Sequence, residues 1–230
     1  LRNGFNLFYD NSVADDKLAI MFEGIDTDYL TNTTNMFRGC EYITTIPLIN
    51  TSNVTRMHSM FTDCTALTTV PKLDLSSADN LMNMFHGCTQ LSSVPTFNTA
   101  NATTMAGMFY SCINLRTIPL FNTKKVTSTN NMFNNCTKLT TVPAFDMRSV
   151  TNFTGMFYNC TNLTNLSIKN IKESLQVASG TDYGHQLSVD SLISLCYELC
   201  NPGAGSSRTL TVGTTNLQKL ANVYVKSKTI

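Results

Sequence analysis

A repeat solenoid of 24-residue turns, built of short parallel strands and ending in strand-helix units, is the fold class that this 230-residue sequence predicts. Three observations predict it. Six cysteines, Cys40, Cys64, Cys88, Cys112, Cys136 and Cys160, stand 24 residues apart. Before each thiol runs a Met-Phe pair: Met36-Phe37, Met60-Phe61, Met84-Phe85, Met108-Phe109, Met132-Phe133 and Met156-Phe157. After each thiol come two apolar columns, Ile43, Leu67, Leu91, Leu115, Leu139 and Leu163, then Ile46, Val70, Val94, Ile118, Val142 and Leu166. A fixed period in this range marks a stack in which every repeat buries its apolar side against the next.

Residues 1–15 fit no register and read as an N-terminal cap or the tail of a preceding part. Residues 16–39 read as a degenerate first turn, with Phe22, Ile25, Asp26 and Leu30 one period before Ile46, Ile49, Asn50 and Val54, and Asp16 in the cysteine position. The regular stack then runs to residue 170. Its apolar spacing carries no helical stripe, and its Thr, Val and Phe content favours strands. Parallel strands stack about 4.8 Å apart, so each column becomes a ladder along the axis. Pro47, Pro71, Pro95, Pro119 and Pro143 are expected where a strand ends. The column Asn50, Asp74, Asn98, Asn122, Asp146 and Asn170 is expected to bond backbone groups of the adjacent turn.

Residues 171–230 form a C-terminal capping region. Gly180 and Gly184 mark a loop, and Ser188 caps a helix carrying Asp190, Leu192, Leu195, Cys196 and Leu199 until Asn201-Pro202-Gly203. A strand is expected from Arg208 to Val212, then a helix opened by Thr215 and Gln218 and running to about Tyr224.

Composition narrows the function classes. Charged residues make up 13% of the chain, the net charge is +1 and hydrophobic content is 42%, so Thr, Ser and Asn must supply the polar surface. No basic cluster exceeds the pair Lys124-Lys125, which argues against nucleic acid as a partner. No apolar run approaches the roughly 18 residues of a membrane span. The thiols lack the CxxC loops or His partners of a metal centre and read as buried packing. His58, His86 and His185 share no motif, and Asp15, Asp16 and Glu23 lack the spacing of a calcium loop. No catalytic residue, metal site or cofactor is predicted.

The positions between the two apolar columns are the candidate binding surface. Thr44, Thr68, Ser92, Arg116, Thr117, Thr140 and Thr141 would face outward there, offering hydroxyls to a protein or glycan. The plain alternative is a solvated face whose Thr residues serve strand propensity.

The run Cys-Thr-x-Leu-Thr-x-Val-Pro-x-Phe-Asn-Thr-x-x-Val-Thr-x-Met-x-x-Met-Phe resembles the BspA-type leucine-rich repeat over about residues 16–170. That resemblance implies a leucine-rich-repeat solenoid without catalytic residues, used for recognition or adhesion on a bacterial or phage surface. Its partner would be a host protein or glycan, or neighbouring virion subunits. Proline departs from the commoner pattern, which carries Asp or Ser there. The run Leu-Ser-Val-Asp-Ser-Leu and the later Thr-Leu-Thr-Val are also similar to the endings of phage minor structural proteins.

Overall fold

A computed structural model describes residues 1–12, 15–22, 25–171, 175–176, 187–200 and 210–211. Its named elements are helix α1 (Asp15–Phe22), strands β1 (Thr141–Asp146), β2 (Asn165–Lys169) and β3 (Leu175–Gln176), helix α2 (Val189–Cys200) and strand β4 (Leu210–Thr211). β1 pairs with β2 and β3 with β4, both in parallel. The stack itself is carried mostly by single parallel bridges. One row of them links Asn3, Asn32, Arg56, Asn80, Thr104, Ser128 and Asn152 in sequence.

The Met-Phe corner explains why so few strands are needed. In residues 33–39 the odd N–H groups of Thr33, Asn35, Phe37 and Gly39 donate to carbonyls of the following turn at Arg56, His58, Met60 and Thr62, 2.8–3.2 Å away. The even N–H groups of Met36 and Arg38, and that of Cys40, bond back three residues. Alternation of this kind requires two left-handed residues per turn. They fall at Asn35 and Gly39 and recur through Ser59 and Asp63, Asn83 and Gly87, to Gly155 and Asn159. Every such position in the corner holds Asn, Asp, Ser or Gly, and Gly, Asn and Asp carry this conformation at least cost.

Identical side chains then stack. Phe8, Phe37, Phe61, Phe85, Phe109, Phe133 and Phe157 form one column, with ring centroids 5.4–5.9 Å apart and planes within 10° of parallel. That separation is the offset stacking that aromatic quadrupoles favour. Phe97, Phe121 and Phe145 form a second column, 6.1–6.3 Å from the first. Each buried ring removes enough apolar surface from water to contribute on the order of 2–3 kcal/mol.

The cysteines lie inside this core. Cys40 donates its S–H to the Phe8 carbonyl, and Cys64, Cys88, Cys112, Cys136 and Cys160 donate to the carbonyls of Phe37, Phe61, Phe85, Phe109 and Phe133, all at 2.9–3.1 Å. Each thiol thereby ties its turn to the one before. Burial pushes the Cys40 thiol up to about 11 and holds the other five well above the ordinary value near 9.

Several expectations are corrected. Of residues 1–15, those from 3 to 11 stand in register: the N–H groups of Gly4, Asn6, Phe8 and Asp10 donate to Asn32, Thr34, Met36 and Arg38. The offset is 28 residues for these bonds and 29 for the bridge Asn3 to Asn32, where later turns have 23 and 24. Five extra residues therefore enter the first turn, and α1 occupies the space of its outward strand. Asn11, not Asp16, takes the cysteine position, its N–H bonding Phe8 as that of Cys40 bonds Phe37. Leu30 is buried in the Val54 column as expected, and Phe22 stacks on Phe8 at 5.0 Å.

The Asn/Asp side chains accept from backbone of their own turn rather than of the adjacent one, and reach a neighbouring turn through side chains, as Asn50 does to Asp28 and Asn170 to Asp146. Asp26, Asn50, Asp74, Asn98, Asn122 and Asp146 each accept from the N–H two residues on, at 2.9–3.2 Å. The adjacent threonines do the cross-linking: Thr27, Thr51, Thr99 and Thr123 accept from the N–H of Asn50, Asp74, Asn122 and Asp146. Pro143 lies within β1, at the point where the pairing with β2 shifts register between Val142 and Phe145. Beyond Asn170 one contact of the stack recurs. Leu187 is buried one period after Leu163, and the Ser188 N–H bonds the Thr164 carbonyl at 2.6 Å. The loop at Gly180 and Gly184, most of the strand expected from Arg208, and the helix from Thr215 lie outside the described residues.

Candidate recognition surface

The candidate residues occupy two adjacent exposed columns between buried Leu and Val columns. Thr44, Thr68, Ser92, Arg116 and Thr140 share the first; Thr117 and Thr141 belong to the second, with Thr45, Thr69 and Ser93. All seven are exposed, and the structure brings them onto one face. Two consecutive outward residues break the strict alternation of a strand. Thr117 and Thr141 meet through a single bridge, and on this face an extended ladder forms, among the described residues, at β1 and β2.

The first column is bonded internally. Thr68, Thr140 and Thr164 donate both N–H and hydroxyl to the carbonyl one turn earlier, at Thr44, Arg116 and Thr140, over 2.9–3.2 Å. Their hydroxyl protons are spent on the stack, leaving oxygen lone pairs toward solvent. Arg116 donates its N–H to Ser92 in the same way and carries the face's only cationic side chain among the candidates.

Both ends of the face are closed by helices. At the first end Asp15, opening α1, accepts from the N–H groups of Thr44 and Thr45 at 2.7 and 3.2 Å and from the Thr44 hydroxyl. Partial burial opposes ionisation of Asp15, yet these three bonds together hold its carboxyl below the ordinary range. At the far end Ser188 caps α2 by accepting from the Ser191 N–H at 3.2 Å. The Ser191 hydroxyl in turn accepts the Leu166 N–H at 3.1 Å. Sequence reading missed Asp15 as an edge cap. The signal was present in Asn3-Gly-Phe-Asn-Leu-Phe-Tyr, which matches Asn32-Thr-Thr-Asn-Met-Phe-Arg once a 29-residue offset is allowed.

Other chemistry is sparse. His58 and His86 sit in different columns, and His86 stacks on Tyr110 at 4.6 Å. Burial holds both imidazoles below their ordinary value. His185 lies outside the described residues. Among the described residues no three His, Cys, Asp or Glu side chains converge as a metal site, and no helix is long and apolar enough to cross a membrane.

A leucine-rich repeat protein from Eubacterium ventriosum is similar at 18% identity, over 70% of this chain and 44% of its own, with a TM-score of 0.44. The chain thus spans less than half of that protein. The T. pallidum leucine-rich repeat protein TpLRR is similar at 14% identity, over 82% of this chain and 83% of its own, with a TM-score of 0.38. No curated protein matches. The family described as "Mycoplasma protein of unknown function, DUF285" matches residues 5–116 and again 79–182, so that its first match begins inside the turn at residues 3–11. Spanning residues 5–182 between them, these matches make the chain a member of the DUF285 family, with repeats of the BspA-type leucine-rich kind.

Proposed function

We propose that the chain is a non-enzymatic recognition module, displayed on a bacterial surface, that binds host protein or glycan through the hydroxyl face. The observation that carries this reading is the face itself. Thr44, Thr68, Ser92, Arg116, Thr117, Thr140 and Thr141 present exposed polar groups at the turn spacing, held by a backbone they help to brace. A rigid array needs little ordering on binding, so many weak hydrogen bonds can add.

The test is retention of the full chain on immobilised mucin and on immobilised fibronectin. Binding to either is expected to survive Thr68→Ala alone and to vanish when Thr68, Ser92, Arg116, Thr117 and Thr140 are all replaced by Glu. Undiminished binding by that multiple variant, with an unchanged circular dichroism spectrum, overturns the reading.

A second reading, a structural part of a virion, is favoured by the five buried free thiols from Cys40 to Cys136, which suit assembly in a reducing compartment. Its test is detection of the chain in purified particles rather than in cell-envelope fractions.

A further inference from the structure

The corner after the proline column carries features that the hydroxyl face does not use. Its tips include Leu48, 80% exposed, and Leu120, 58% exposed, at the same position of turns three apart. Beside each lies an equivalent open cleft, of about 420 Å³ against Asn50 and Asp74 and about 350 Å³ against Asn122 and Asp146. Charge along this corner is polarised. Asp26 and Asp28 stand at its N-terminal end, and Lys124, Lys125 and Arg148 at the other, where Asp146 offsets one of them. Among the described side chains of this corner from Asp26 to Arg148, the two ends therefore carry −2 and +2, while Lys72 and Asp74 cancel between them.

We infer that this corner pairs with the same corner of a second copy, antiparallel about a two-fold axis. Such an interface must be self-complementary, and the repeat makes it so. An axis between the turns of Lys72 and Thr96 leaves Leu48 and Leu120 equidistant on either side, so each leucine meets the cleft beside the other. The same axis sets Asp28 against the partner's Arg148, Ser52 against the partner's Lys124 and Asp26 against the partner's Asp146, so the pairing rests on the opposite net charges of the two ends. A parallel pairing would set acid against acid and base against base. From Asp28 to Arg148 the strip covers five turns, about 24 Å at the spacing of stacked strands. That is shorter than a lasting interface of about 800 Å² per partner needs. The association is accordingly weak, and screening by salt dissolves it.

Sedimentation of the full chain across a wide concentration range, at about 0.01 M and about 1 M salt, tests this. Dimer is expected at low salt and monomer at high salt. Asp28→Arg alone and Arg148→Asp alone should each weaken the dimer about tenfold or more, and the two together should restore it, because each then faces the other's new charge. Both positions are exposed, and an unchanged circular dichroism spectrum verifies the fold of each variant. Monomer at every concentration in low salt overturns the inference, as does a dimer that the double variant fails to recover.

Discussion

The Met-Phe corner, residues 33–40 and its copies, repeats Met, Phe and Cys without a change through six turns, whereas the outward columns between Leu and Val admit Thr, Ser, Asn and Arg. The two regions share a backbone and differ in what surrounds each side chain. A corner side chain lies between its own copies above and below, so its shape must match theirs. An outward side chain touches its copies along one edge only, and Ser92 or Arg116 can replace Thr without disturbing a neighbour. Uniformity therefore marks confinement, and variation marks freedom to meet something else.

The largest effect that should separate the regions is alkaline. The folded thiols hold their protons above the ordinary value near 9, so their stabilisation is intact below pH 9 and is lost as pH rises toward and past 11. Each thiolate gained by the unfolded chain costs about 1.4 kcal/mol at one pH unit above its unfolded value, and the column multiplies that. Urea unfolding at pH 8 and pH 10, followed by circular dichroism, should show a loss of several such increments. Cys88→Ala should flatten the slope by one thiol. An identical slope in that variant would break the link between the column and the pH dependence.

Next comes Phe85→Ala, which opens a hole between Phe61 and Phe109 and should cost about 3–5 kcal/mol in the same assay. Thr129 sharpens the comparison from the other direction. It occupies the buried column of Met57, Leu81 and Met105, and its hydroxyl is buried without a hydrogen-bond partner. Thr129→Val should stabilise by about 1 kcal/mol, with a rise in the urea midpoint. On the outward face Thr68→Ala should change stability by no more than about 0.5 kcal/mol. A larger loss would mean that its bond to the Thr44 carbonyl braces the stack as firmly as the core does.

The period, the buried columns and the outward face could all be read from the sequence, because stacking converts letter spacing directly into spatial columns. What escaped were the features that depend on backbone conformation or on a broken period. The left-handed pairs hide among Asn, Ser, Asp and Gly, which share no letter. The five-residue insertion before Thr27 displaced residues 3–11 from the count. The Asn/Asp column was located correctly, but spacing cannot tell an oxygen that bonds its own turn from one that bonds the next.

The left-handed positions also bear on how such an array can lengthen. Gly87 faces Asp63 of the preceding turn, and a Cβ on it would lie 2.5 Å from the Asp63 carboxylate; Gly39 stands over Asp10, and Gly107 and Gly155 over Asn83 and Asn131, in the same way. At these four junctions a side chain is followed by a glycine that makes room for it, whereas Asn135 and Asn159 carry side chains in successive turns and join them by a hydrogen bond of 2.7 Å. A junction of the Gly87 kind therefore fixes which turn can follow which, while one of the Asn135 kind can be copied 24 residues at a time.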